Sequence, residues 1–154
     1  NRKWRVESEI EDKEKYIQEI KEKANGQNVE TFIPEQWTLE YELAANGLGE
    51  EMLQTIAAMR VEKIQDKEKK EKKKVELLEE YTKKHNKYED KEAKASYVYS
   101  FFSHKLVSKA EFAQRFSFDL ENIFKGKTVE EIVTVLPNYL VKAIEYVTTN
   151  IKGI

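Results

Sequence analysis

Residues 108–147 read SKAEFAQRFSFDLENIFKGKTVEEIVTVLPNYLVKAIEYV, and three helices can be marked on them from side-chain chemistry alone. Ser108-x-x-Glu111 has the spacing of a capping box, in which the hydroxyl and the carboxylate each satisfy an orphan N–H of the first turn. Behind it Phe112, Ala113, Phe116, Leu120, Ile123 and Phe124 recur on one helical face. Thr128-x-x-Glu131 opens a second, shorter helix in the same way, and Pro137 stands where a first turn tolerates proline, ahead of Tyr139, Leu140, Ala143, Ile144 and Val147. With Tyr97, Val98, Phe101 and Phe102 as a further stripe, residues 95–154 are expected to form a C-terminal helical bundle.

Upstream, Leu53, Ile56, Ala57 and Ile64 continue a helical period, which passes through QDKEKKEKKK at 65–74 and recovers at Val75, Leu78 and Tyr81. Residues 49–94 are therefore expected to form a long charged helical arm, one helix or two collinear ones, with any break inside the charged run. Spacing of four places Lys67 with Glu71 and Glu68 with Lys72, which suits a solvated helix face better than a phosphate-binding patch. Residues 35–62 carry six acids against Arg60, net −5, and residues 63–94 twelve Lys against nine acids, net +3, so neither block is a single-sign tail.

The first 48 residues read differently. Ile10, Ile17, Ile20 and Ala24 predict an amphipathic helix over Ser8–Ala24, ended by Asn25-Gly26. NVETFIP at 28–34 is the one good strand candidate, closed by Pro34, and a lone strand must join a sheet. Thr38 can cap a helix through about Asn46, with Glu40 and Glu42 where the helix dipole favours acids, before Gly47 and Gly49 break it. The fold class expected is mainly α, a helical bundle with a long charged arm, plus one strand of an incomplete α/β sheet.

Composition narrows the function. A chain of 154 residues has room for one domain or one lobe, and five Gly and two Pro are too few for an all-β fold of many tight turns. Without Cys there is no disulfide framework, thiolate metal site or cysteine nucleophile. His85 and His104 lack any partner at metal-ligand spacing, and neither a Gly-rich phosphate loop nor a Gly-x-Ser-x-Gly elbow is present. No apolar run reaches the length of a membrane span, so a cytoplasmic protein without membrane contact is expected. Two polar residues stand out by position. Glu40 sits just after the strand candidate at a helix start, and Lys109 sits in the first turn of a capped helix, where the dipole opposes a cation.

The segments NVETFIP with WTLEYELA, SKAEFAQRF and LPNYLVKAIEYVT, covering about 28–48 and 104–149, resemble the C-terminal part of the overcoming-lysogenization-defect (OLD) family of ATP-dependent endonucleases. Members of that family join an N-terminal ABC-type ATPase to a C-terminal Toprim nuclease that acts on DNA with divalent metal ions. The resemblance implies that Glu40 of WTLE is a catalytic residue and a ligand for Mg²⁺ or Mn²⁺. It implies that Lys109 of SKAE is a catalytic electrostatic stabiliser of the scissile phosphate. On this reading residues 1–48 are the C-terminal remnant of a Toprim domain, 49–94 the arm and 95–154 the bundle carrying Lys109. ATP would act in an ATPase domain absent from this chain. The partners implied are DNA, further copies of the chain, and a helicase or other partner in anti-phage defence. Asp12, Asp66, Asp90 and Asp119 are isolated, so the Asp-x-Asp pair of a Toprim site is expected upstream of the first residue. A non-catalytic helical protein-interaction module is the alternative, and an upstream Asp-x-Asp strand discriminates the two.

Overall fold

A mainly helical chain is what these apolar periods demand, and it is what forms. The computed structural model describes residues 30–150, together with Lys15, Gln18, Glu19 and Glu22. Among them the order is α1 (Leu39–Leu43), a wide π-type turn (Ala44–Leu48), α2 (Gly49–Arg60), α3 (Lys67–His85), α4 (Lys91–Ser103), α5 (Lys109–Phe124), α6 (Val129–Val135) and α7 (Asn138–Asn150).

The centre of the molecule is α2. Met52, Leu53, Ile56 and Ala57 have no solvent exposure, which places the whole inner face of this helix in the core. Around it pack α3, α4, α5 and the π-type turn. One apolar cluster joins Leu43 and Leu48 to Tyr81, to Val98, Phe101 and Phe102, and to Phe112 and Phe116, so it crosses the divisions drawn at 48/49 and 94/95. Aromatic rings lock the layers. Tyr81 meets Phe101 at 4.7 Å and Phe102 meets Phe112 at 4.8 Å, both edge-on, and Phe112 stacks on Phe116 at 5.1 Å.

Two expectations are corrected. Residues 49–94 are not an arm of one helix or two collinear ones. The helix stops at Arg60, Val61 turns inward to 1% exposure, and Asp66 caps a new helix by accepting from the Lys69 N–H at 2.9 Å. The break spans 61–66 and so enters only the first two residues of the charged run, and α3 folds back onto α2 through Leu77, Leu78 and Tyr81. Lys67, Lys69, Lys72 and Lys73 are exposed as expected, although the ion pairs formed are Lys74–Glu71, Lys73–Glu76 and Lys84–Glu80. Exposed pairs of this kind contribute so little that several pairings compete.

The second correction concerns the strand at 28–34. Its described part, Glu30–Pro34, runs without strand pairing. No described residue offers it a ladder, and without one β propensity has nothing to act on. The segment lies along α7 instead, with the rings of Phe32 and Tyr146 5.8 Å apart. Asn28, Val29 and most of the expected Ser8–Ala24 helix lie outside the described residues. Within that span Lys15, Gln18, Glu19 and Glu22 are helical and exposed.

The turn that aims α5 at the N-terminus of α1 has an unusual residue in it. At the end of α4 the Lys105 N–H bonds the Phe102 carbonyl at 3.0 Å and the Leu106 N–H reaches back to the Phe101 carbonyl at 2.9 Å, a Schellman arrangement. It requires a left-handed residue, and the chain uses Lys105 at φ 56°. Lys105→Gly is therefore expected to raise stability by about 0.5–1 kcal/mol, read as a higher urea midpoint at unchanged slope. A lowered midpoint would mean that the Lys105 side chain itself holds the turn.

Candidate functional site

Thr38 lies in extended conformation ahead of α1, and its Oγ1 accepts from the Tyr41 N–H at 3.5 Å. This cap sends the two acids of the first turn in different directions. Glu42 is buried at 4% exposure and its Oε1 accepts from the Gln36 N–H at 2.7 Å, tying down the loop before the helix. Glu40 projects the other way, toward α5. There Ser108 caps the helix by accepting from the Glu111 N–H at 3.4 Å, while the Glu111 carboxylate faces Arg115 at 3.3 Å, and Arg115 also pairs with Glu62. The complete reciprocal box is the one at Thr128 and Glu131.

These two caps bring Glu40 and Lys109 together. Lys109 Nζ donates to Glu40 Oε2 at 2.9 Å across 69 positions of sequence, and it stands 5.0 Å from the centroid of the Tyr99 ring. The carboxylate side chain is 17% exposed and the lysine side chain 37%. At the start of α5 the dipole opposes the ammonium, so Glu40 and the face of Tyr99 compensate for it. Burial works against the charge on Glu40. The hydrogen bond from Lys109, donation from the backbone and from Thr38, and attraction to the ammonium outweigh burial and hold its carboxyl below the usual range.

A folded pKa below the ordinary 4.5 means that the contribution of Glu40 to stability is complete above that value and disappears as pH falls through the folded pKa. In metal-free buffer Glu40→Gln should therefore cost about 1 kcal/mol or less at pH 7, and the difference from wild type should shrink toward pH 3. Urea unfolding at pH 7, 4.5 and 3 checks this. A difference independent of pH would show that the carboxylate is not the group responsible.

Beside the pair the surface opens into a cleft of about 460 Å³ lined by Gln36, Trp37, Tyr41, Glu92, Ser96 and Tyr99. Tyr99 belongs to both, with one contact to the Lys109 ammonium and a place in the cleft wall. Tyr139, at the start of α7, has its hydroxyl pKa pushed up to about 12, first by burial and then by the negative charges of Glu42 and Glu40. The structure brings together Glu40 and Lys109, which the sequence singles out separately, and adds Trp37, Tyr99 and Tyr139 around them, which it does not. The spacing of Glu92, Ser96 and Tyr99 marks one face of α4, but nothing local says that this face meets Trp37 and Tyr41.

The implied divalent ion can be tested against these side chains. Among the described residues no group of three or more His, Cys, Asp or Glu could hold a metal ion. Glu40 already has an ammonium on Oε2, so the described residues do not by themselves fit a Mg²⁺ or Mn²⁺ site. His85 is a core residue, 6% exposed and pressed against Gly49, and His104 is exposed at the end of α4. Among the described residues no helix is long and apolar enough to cross a membrane. No protein-family model, curated protein or solved structure matches the chain.

Proposed function

We propose that this chain is the C-terminal portion of an OLD-type, metal-dependent DNA endonuclease, in which Glu40 and Lys109 form one side of the phosphodiester-cleaving site. One observation carries the reading. The two residues that the motifs single out, 69 positions apart, meet at 2.9 Å beside an open cleft. Chemically, Lys109 supplies a compact positive charge for the phosphate oxygens as negative charge grows on them. Glu40 holds that ammonium in place, and in the complete protein it would be one carboxylate of a divalent-metal site whose other ligands would have to come from outside the described residues. An ATPase half that regulates cleavage, self-association, a helicase or other defence partner and a cytoplasmic setting belong to the same proposal.

A non-catalytic interaction module is the second reading. It draws on the apolar side chains exposed along α6 and α7, where Val129 is 71% and Val147 57% exposed. The experiment that separates them is Mg²⁺-dependent cleavage of plasmid DNA by the complete protein, by its Glu40→Ala variant and by residues 1–154 alone. We expect cutting only by the complete wild-type protein, because a two-metal site needs more carboxylates than Glu40 supplies. Equal cutting by the Glu40→Ala variant would remove Glu40 from the site. Robust cutting by residues 1–154 would overturn the claim that the site is shared with other segments.

A further inference from the structure

The cleft beside Lys109 has the chemistry of a nucleobase. Its walls are three aromatic side chains, Trp37, Tyr41 and Tyr99, with Trp37 and Tyr41 each 6.5 Å from Tyr99 and nearly perpendicular to it. Its remaining lining comes from three polar residues, Gln36, Ser96 and Glu92. Apolar faces bounded by a few donors and acceptors match a flat heterocycle whose rim carries hydrogen-bonding groups. Trp37 is 41% exposed although its ring meets that of Tyr99, so part of its surface remains accessible to a ligand. The Lys109 ammonium, 5.0 Å from the centroid of the Tyr99 ring that forms part of the cleft wall, is a cation within reach of a phosphate attached to such a base.

We propose that the Trp37–Tyr41–Tyr99 cleft holds one unpaired base of a DNA strand, stacked on Trp37, with its phosphate toward Lys109. This deepens the nuclease reading and rests on it for the role of Lys109 at the phosphate. A base inside a duplex is covered on both faces by its neighbours, so the cleft selects single-stranded, frayed or looped DNA. Glu92 adds a preference. A carboxylate accepts hydrogen bonds but cannot donate them; cytosine offers it a rim amino group, whereas the N3–H of an unpaired thymine is flanked by two carbonyl oxygens that repel a carboxylate, so cytosine is favoured over thymine.

The test is binding without cleavage, in EDTA and at low salt, using fluorescein-labelled single-stranded decamers of cytosine or thymine and a mixed-sequence duplex. Trp37 fluorescence is followed in parallel in a Trp4→Phe background, which leaves Trp37 as the single tryptophan of the two in the chain. We expect the cytosine decamer to bind more tightly than the duplex and to quench Trp37. Trp37→Ala should weaken that binding about 5- to 100-fold, and Trp37→Phe should recover most of it. Glu92→Gln should reduce the cytosine-over-thymine ratio at similar overall affinity. Unchanged helical circular dichroism and melting exclude misfolding of the variants. Binding by Trp37→Ala within twofold of wild type, or duplex bound as tightly as single strands, overturns the proposal. Quenching by tetramethylammonium and not by either decamer also overturns it, and would read the three rings as a cation cage. Loss of stacking with cleavage by the complete protein intact sinks this inference alone. Normal stacking with no cleavage leaves the cleft standing and sinks the nuclease reading.

Discussion

Phe112→Ala is expected to destabilise the fold by about 3–5 kcal/mol, a fall of roughly 6–20 °C in melting temperature. Phe112 is 2% exposed, sits edge-on to Phe102 of α4 and stacks on Phe116 one turn along α5. Removing the ring costs its transfer from water and leaves a cavity between α4 and α5, while α5 is held elsewhere by Phe116 in the core and by the short hydrogen bond that Thr55 Oγ1 of α2 donates to Asp119 Oδ2. These flanking contacts limit how far the helices can collapse into the gap. The same helix supplies its own control, because Phe118 is 65% exposed and Phe118→Ala should change stability by no more than about 0.5 kcal/mol. Denaturant melts of the two variants give the comparison, and equal effects would mean that α5 is not seated as described. The substitution also reaches the site. Phe112 lies one helical turn from Lys109, so a loosened α5 moves the ammonium relative to Glu40.

The aromatic spacing from 97 to 124 was legible in the sequence because those residues are buried through local periodicity, and helix period is a local property. Glu40 and Lys109 each stood out by position, an acid at a helix start after the strand candidate and a lysine in a capped first turn, but nothing local to either residue reports that they meet across 69 positions. The turn at Val61–Asp66 was not legible. Ile64 falls where a continuing helix would place an apolar residue, and the capping Asp66 is hidden among acids and lysines that look alike in a charged run. The helix end at Lys105 gave no sign either, because the left-handed position that usually shows as Gly or Asn is filled by a lysine. For NVETFIP the propensities point to a strand. A strand, unlike a helix, needs hydrogen-bond partners elsewhere in the chain, and no propensity reports on those. The cleft depended on the same kind of information, because Trp37 and Tyr99 meet only through the packing of α1 on α4.

On the proposed nuclease reading, Lys109→Ala is expected to slow single-turnover DNA cleavage by the complete protein about 10²–10³-fold while leaving any ATP hydrolysis nearly intact. The expectation starts from the cap. Ser108 satisfies the Glu111 N–H without help from Lys109, and the dipole of α5 opposes a cation there, so losing the ammonium relieves one unfavourable interaction while breaking the bond to Glu40. A pair with a 37%-exposed lysine side chain is partly screened by solvent, so the two effects nearly offset and melting should shift little. Cleavage has no such offset. A positive charge held by Glu40 over Tyr99 is preorganised, and the alanine variant has nothing to put in its place. Lys109→Arg should rescue only in part, because a planar fork can bridge Glu40 and stack on Tyr99 but does not present the same compact charge to a phosphate. Single-turnover rates for wild type, Lys109→Ala and Lys109→Arg, taken with thermal melts of each, give the answer. An alanine variant that cuts within a few fold of wild type would make Lys109 a structural partner of Glu40 and nothing more.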